Sequence, residues 1–268
     1  ILAQAFFVLV RTLRLCLVVR VTLLDSKRIF PFMAAALKTE IDAFAAKITD
    51  KKEGQAALEA IGKIAEEKGA VAEPFLVTVF GQVLESSGDK SKNVKDAGIA
   101  AAKAIVKMMS PFAVDAVMPA LLAGLSVKAK PPHKEATLNI ISALAAKDPV
   151  SIGYSLVTLA MPVAELTCDI KKEVKEAATA CMTSICNCTG NKDLEPFLPF
   201  VVKAAQSIDN THACVERLAG CIFVQNVETP ALAAMLPVLS RGLNDKNEEV
   251  KRTCCLIVDN MCKVVEDP

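Results

Sequence analysis

The chain has 268 residues, of which 53% are hydrophobic and only 4% are aromatic, with no Trp and one Tyr. A core of small aliphatic residues suits closely stacked helices better than a β-sandwich, which favours aromatic and β-branched residues. The formal net charge of +1 argues against a general polyanion-binding surface and leaves room only for local basic clusters.

Residues 1–30 differ from the rest of the chain. They carry a charge of +4, which with the overall +1 leaves −3 for the remaining residues. Their longest run free of charged side chains is 1–10, and a helix that crosses a bilayer needs about twenty apolar residues. The arginines that follow make a spanning helix costly. An Arg-rich, acid-poor, apolar segment is typical of an organelle presequence. The alternatives are an edge helix or wrongly translated non-coding DNA, and we assign the segment no function.

From residue 31 onward the chain repeats with a period near 40 residues. Four apolar segments carry prolines spaced 43, 37 and 38 residues apart, and Val77 takes the proline slot 42 residues before the first of them. These prolines are Pro119, Pro162, Pro199 and Pro237. A period of this length is that of HEAT and armadillo arrays, in which each unit is a pair or triplet of helices. The predicted copies span 31–67 (the weakest), 70–108, 113–147, 151–188, 193–226 and 230–265.

A second marker lies between the two halves of three copies, where an Asp precedes a Val-Lys pair by five residues. The pairs are Asp89 with Val94, Asp169 with Val174 and Asp245 with Val250; the copies at 113–147 and 193–226 are irregular and lack it. The Asp carboxylate can cap the second helix or close the turn. From the Val an apolar stripe runs at helical spacing. The stripes predicted are Val174, Ala178, Cys181, Met182 and Ile185, and Val250, Cys254, Ile257, Val258, Met261 and Val265.

These patterns predict an all-α fold, an α-solenoid of about five to six HEAT-like helix pairs over residues 31–268. One helix pair cannot bury its apolar face alone, so each pair covers the next. A proline inside the first helix removes a backbone donor and is expected to bend that helix.

Basic residues concentrate at or near the turn between the two helices of a unit. In a solenoid such turns align along one edge, so the residues predict a stripe that could meet RNA phosphates in a salt-dependent way. The alternative is that lysines keep the turns soluble, since acidic residues such as Asp89 and Glu173 interleave with them. The candidate RNA-contacting residues are Lys90, Lys92, Lys95, Lys128, Lys130, Lys134, Lys171, Lys172, Lys175, Lys246, Lys251 and Arg252.

Motifs for catalysis are absent from the sequence. There is no phosphate-binding G-x-x-x-x-G-K-[ST] loop, no H-E-x-x-H and no G-x-S-x-G. The ten cysteines lie in apolar helical patterns that predict buried, reduced thiols. Cys186 and Cys188 form C-x-C rather than C-x-x-C, and neither His133 nor His212 lies near a suitable Cys pair. We therefore expect no catalytic residue, cofactor, metal or small-molecule substrate, and no membrane span.

Five stretches of the sequence carry a family likeness: 239–268 in the last repeat, 169–179, 191–195, 227–231 and 50–52. They resemble the N-terminal HEAT region of the translation elongation factor 3 family, and the run 239–268 does so most specifically. The resemblance covers about residues 40–268 and is weak through 128–155.

The resemblance implies a ribosome-binding scaffold. In this family the array precedes a helical bundle and two ATP-binding cassettes, docks on small-subunit protein and ribosomal RNA, and supports ATP-driven release of exit-site tRNA. The sequence holds no cassette, so the expectation for the chain itself is docking in the cytoplasm without enzymatic activity. If residues 1–30 are a presequence, the location would instead be an organelle.

Two alternatives stay open at the level of sequence. The ribosome-bound scaffold that relays amino-acid starvation to a protein kinase has a similar HEAT segment. A generic adaptor that binds protein cargo through its solenoid surface has the same architecture, because function lies in surface residues rather than in the fold.

Overall fold

The computed structural model describes residues 34–50 and 52–265, and within these ranges the chain forms α-helices and no strand. The first helices of successive units are α1 (34–47), α3 (Glu73–Glu85), α5 (Val114–Leu125), α7 (Pro149–Leu166), α9 (Leu198–Gln206) and α11 (Thr229–Leu243). The second helices are α2 (Gly54–Lys68), α4 (Lys92–Met108), α6 (Pro131–Lys147), α8 (Lys172–Cys186), α10 (Thr211–Ala219) and α12 (Glu248–Cys262). The predicted all-α solenoid is confirmed; the segment 1–30 lies outside the described residues.

Stacking of like helices forms the core. Second helices pack on second helices, as α2 does on α4 and α6 on α8, and α3 packs on α5 in the same way. One continuous apolar cluster runs from Leu37 in α1 to Met261 in α12. Each unit therefore buries its apolar face against its neighbours, as expected of a repeat array.

The predicted apolar stripes agree with burial at most positions. All five stripe residues of α8 are buried, and in α12 the buried residues are Val250, Cys254, Ile257 and Met261. Val258 was wrongly placed on this stripe, because it lies beyond the edge of the buried face and is exposed.

Three of the four periodic prolines lie inside first helices, at Pro119 in α5, Pro162 in α7 and Pro237 in α11. Pro199 does not, because α9 begins at Leu198 and the proline occupies its first turn. A proline there removes no hydrogen bond that the helix would otherwise make. The first helix of the fifth unit therefore lacks the internal proline that was expected to bend it.

The fifth unit is shorter than the others, and this changes the stacking. Helices α9 and α10 have nine residues each, so α11 reaches past them and packs directly on α7. Gly153 of α7 permits a close approach of the chain here, because a Cβ at this position would lie 2.7 Å from the carbonyl oxygen of Cys188. The sequence showed that this copy was irregular but not that its neighbours would meet.

A loop after α10 leads the chain to α11. The Asp193 carboxylate accepts hydrogen bonds from the backbone N–H groups of Val224 and Gln225, both at 2.7 Å, and the Asn191 amide donates to the carbonyl of Asn226 at 3.4 Å. The family-like stretch 191–195 thus holds the loop that precedes the family-like stretch 227–231.

Among the described helices, α7 is long and apolar enough to cross a membrane by length and composition, with a mean hydropathy of 1.3 over 18 residues. Half of this segment is buried inside the stack, where it packs against α5, α8 and α11. Its apolar composition is therefore accounted for by its place in the core.

Candidate functional site

Most of the predicted basic residues lie in, or just after, the turns between the first and second helix of each unit. We call this row of turns the turn edge; its segments are 48–53 (residue 51 apart), 86–91, 126–130, 167–171, 207–210 and 244–247.

Aspartate side chains close four of these turns in the same way. In each, one Oδ1 oxygen accepts a hydrogen bond from the backbone N–H group two residues later. The four bonds are Asp50 to Lys52 and Asp89 to Ser91 at 2.7 Å, Asp169 to Lys171 at 2.9 Å and Asp245 to Asn247 at 2.8 Å. The marker aspartate therefore closes the turn, and does not cap the following helix.

Hydrogen bonds tie the third unit to the second. The ammonium of Lys130 donates to the carbonyl oxygen of Gly88 at 2.9 Å. The Nδ1 atom of His133 lies 2.9 Å from the carbonyl oxygen of Leu84 and 3.0 Å from Ser87 Oγ. Because a carbonyl can only accept, the contact with Leu84 favours the tautomer protonated at Nδ1. Burial lowers the pKa of His133 below its usual value.

Similar bonds continue along the turn edge to the sixth unit. Lys134 donates to Asp169 at 3.1 Å between the third and fourth units. Thr167 Oγ1 donates to the carbonyl of Ala205 at 2.7 Å between the fourth and fifth, and the Arg241 guanidinium donates to Ala204 at 2.6 Å between the fifth and sixth. Neighbouring units from the second to the sixth are thus joined at this edge, by residues that lie in the turns or in the helices beside them.

Lys134 does not belong to the accessible basic stripe. It is only 8% exposed, and its ammonium pairs with the Asp169 carboxylate. A phosphate could reach it only by breaking this pair, so its place among the candidate contacts was wrong. Its position at the start of α6 gave no sign of burial, because the partner lies 35 residues later.

Most of the other candidate residues point to solvent. Lys95 is half-buried, and Lys130 is exposed although its ammonium donates to Gly88. The ammonium of Lys172 lies 3.7 Å from the carboxylate of Glu176 in an exposed ion pair, and such a pair contributes little to stability. The remaining residues are exposed: Lys90, Lys92, Lys128, Lys171, Lys175, Lys246, Lys251 and Arg252. The fifth turn carries Asp209 and no Lys or Arg, so the stripe is interrupted there.

The cysteines agree with the predicted buried thiols in part. Burial raises the pKa of Cys181, Cys186 and Cys214 to about 12, which keeps these thiols protonated and unreactive. The prediction was wrong for Cys168, Cys255 and Cys262, which are exposed. Within the described residues, no group of three His, Cys, Asp or Glu side chains is arranged to hold a metal ion.

Two family profiles match the chain. The profile described as "EF3 N-terminal HEAT repeat" matches residues 32–182, and the profile described as "Elongation factor 3/GNC1 HEAT repeat" matches residues 210–268. The first of them alone covers more than half of the chain.

Curated proteins and solved structures also resemble the chain. Elongation factor 3 of Zygosaccharomyces rouxii is 39% identical over 223 residues, covering 82% of this chain and 21% of that protein. Elongation factor 3A of Saccharomyces cerevisiae is 35% identical over 225 residues, with the same coverage. A designed armadillo repeat protein in complex with the peptide (KR)4 aligns with 84% of this chain and 99% of its own at 18% identity and a TM-score of 0.41.

The chain spans about a fifth of the length of the curated relatives that it matches. The matched profiles and the relatives agree on one region, the HEAT repeats of elongation factor 3. The chain belongs to the family of the elongation factor 3 N-terminal HEAT repeat.

Proposed function

We propose that this chain is a ribosome-docking scaffold of an elongation factor 3-like protein, acting in the cytoplasm in support of translation elongation. Its partners are ribosomal RNA and small-subunit protein. In the longer protein that the relatives represent, the scaffold would hold an ATPase in place while spent tRNA leaves the exit site.

The observation that carries this proposal is the alignment of exposed basic residues on the turn edge. Lysines of the second, third, fourth and sixth turns are exposed, and the bonds from Lys130 to Gly88 and from Thr167 to Ala205 join neighbouring units at these turns. A rigid row of ammonium groups suits a phosphate backbone, because contacts to phosphate position a protein without reading sequence.

The test is co-sedimentation of the 268-residue chain with ribosomes across a salt series. Binding is expected at about 50 mM salt and should weaken steadily as salt rises, because each phosphate contact releases a counterion. No co-sedimentation at the lowest salt would contradict docking by this region.

A matched pair of variants distinguishes the turn edge from charge in general. Replacing four lysines in or directly after two turns by Gln (Lys90, Lys92, Lys171 and Lys172) should weaken ribosome binding and reduce the salt slope by about 1 for each lysine that contacts a phosphate. The control replaces four exposed lysines away from the turn edge by Gln: Lys38, Lys63, Lys103 and Lys107. Equal losses in both variants would show that the turn edge has no special role.

Two competing functions make different predictions. The first is the ribosome-bound scaffold of starvation signalling. ATP-binding cassettes downstream in the full reading frame would favour our proposal, and further HEAT repeats would favour this rival. A generic cargo adaptor would bind protein without ribosomes. We expect the chain itself to hydrolyse no ATP, and steady turnover by the purified chain would contradict its role as a non-enzymatic scaffold.

A further inference from the structure

Aliphatic side chains project from three consecutive turns of the turn edge. Val127, Ile170 and Ile208 are 91%, 98% and 69% exposed. Single exposed aliphatic residues are ordinary, but these three occur one per turn, and Val127 and Ile170 add almost nothing to the core. We call them the aliphatic tips.

Each aliphatic tip is held in a hydrogen-bonded turn. The closing bonds run from Ala129 N to Ser126 O at 3.1 Å, from Lys171 N to Asp169 Oδ1 at 2.9 Å and from Asn210 N to Ser207 O at 3.1 Å. The pair of Lys134 with Asp169 and the bond from Thr167 to Ala205 fix these turns relative to one another. A partner therefore meets side chains that are already in place, which lowers the entropy cost of binding.

The charges beside the aliphatic tips differ along the row. Lys128 and Lys130 lie next to Val127, and Lys171 and Lys172 follow Ile170, whereas Ile208 is followed by Asp209. A partner that covers the first two tips would need carboxylates at its rim. A phosphate backbone could use these lysines, but it would gain nothing from burying Val127 and Ile170.

The spacing of the turns suits a helix. Helices α6 and α8, which follow Val127 and Ile170, pack directly on each other. Packed helices lie about 8–10 Å apart, which sets a similar distance between these two tips, and seven residues of an α-helix rise about 10.5 Å. We infer that the first two aliphatic tips, Val127 and Ile170, are a docking site for an acidic amphipathic helix of another protein, with one aliphatic side chain per heptad set against each of these two tips. This inference goes beyond ribosome docking and does not depend on it.

The test uses synthetic helical peptides about three heptads long with the full 268-residue chain. The first peptide has one Leu per heptad among Glu and Ala, the second has Ser in place of Leu, and the third has Lys in place of Glu. A single-stranded RNA oligonucleotide serves as the phosphate probe. Of the three peptides, only the first is expected to bind, as measured by fluorescence anisotropy. The inference is overturned if the first peptide does not bind below roughly 1 mM, whether or not the RNA binds, or if the Leu and Ser peptides bind equally.

Variants of the chain locate the site. Val127→Ser with Ile170→Ser should raise the peptide Kd about tenfold or more, because two apolar contacts are lost, and should leave RNA binding and the melting temperature unchanged. Val150→Ser is the matched control, since Val150 is 67% exposed at the opposite end of the helices. An unchanged peptide Kd in the double variant, or a loss with Val150→Ser instead, contradicts a site at the aliphatic tips.

Discussion

The ammonium of Lys134 lies 3.1 Å from the carboxylate of Asp169, with side chains only 11% and 17% exposed. The same carboxylate accepts a hydrogen bond from the backbone N–H of Lys171. The Asp169 side chain therefore closes its own turn and also binds Lys134 of the preceding unit. These bonds hold the pKa of Asp169 below its usual value, the backbone bond from Lys171 being the larger cause. The stabilisation by ionised Asp169 is therefore complete above its unfolded pKa and is lost as the pH falls through the lowered one.

The first prediction concerns the coupling of these two residues. Lys134→Met leaves the Asp169 carboxylate unpaired in a largely buried place and should lower the free energy of unfolding by about 2 kcal/mol. Asp169→Asn keeps an oxygen that can close the turn but leaves Lys134 without a counter-charge. Urea unfolding of both single variants and the double variant should show a coupling of about 1 kcal/mol or more; strictly additive losses would mean that the ion pair adds nothing.

A second prediction concerns acid sensitivity at His133. Its pKa in the folded chain is lowered by burial, whereas an unfolded histidine titrates near 6.5. Below about pH 6.5 the unfolded chain therefore takes up a proton that the folded chain does not, so stability should be highest above this pH and fall as the pH drops toward the lowered pKa.

His133→Asn tests this directly, because the Asn amide nitrogen can take the place of Nδ1 as donor to Leu84 but does not titrate. The fall in melting temperature between about pH 7 and pH 5 should be smaller in this variant. His212 is exposed and is retained in both proteins, so it does not affect the difference. Identical pH profiles would show that His133 does not control the acid sensitivity.

Local features of this fold could be predicted from the sequence, and contacts between units could not. Each of the recurring prolines lies within one helix, and each Asp-Val pair spans one turn and the start of one helix. Because these signals are local, they indicated the helix pairs and the closed turns at Asp89, Asp169 and Asp245. Burial of Lys134 depends instead on how closely one unit approaches the next. The contact of α11 with α7 has the same origin, because it follows from the shortness of α9 and α10.

Lys147 is another residue that the sequence did not single out. Its ammonium donates to the carbonyl oxygens of Val106 and Lys107, both at 2.8 Å, and to that of Met109. A lysine of α6 thus donates to the last carbonyls of α4, in the turn where carbonyls lose their usual donors four residues later.

The third prediction follows from this contact. Lys147→Met keeps the length of the side chain but removes the donor, and should lower the free energy of unfolding by about 1–2 kcal/mol. Lys107→Met is the control, because Lys107 lies in the last turn of α4 but it is Lys147 whose ammonium donates to these carbonyls. The loss of the Lys107 ammonium should change stability by less than about 0.5 kcal/mol. Both values can be measured by urea titration, and equal effects would contradict the capping role of Lys147.

The fourth prediction compares two glycines in helices. A Cβ at position 153 would lie 2.7 Å from the carbonyl oxygen of Cys188, which belongs to the backbone and cannot rotate away, whereas a Cβ at position 62 would meet Ala101 at an ordinary 3.5 Å. Gly153→Ala should therefore destabilise the chain by about 1–3 kcal/mol through overpacking, and it should loosen the contact between α7 and α11. Gly62→Ala should stabilise the chain by up to about 1 kcal/mol, because alanine favours the helix. Thermal unfolding of both variants checks the opposite signs, and a stabilising Gly153→Ala would show that the close packing of α7 on the Cys188 segment is not a constraint on this fold.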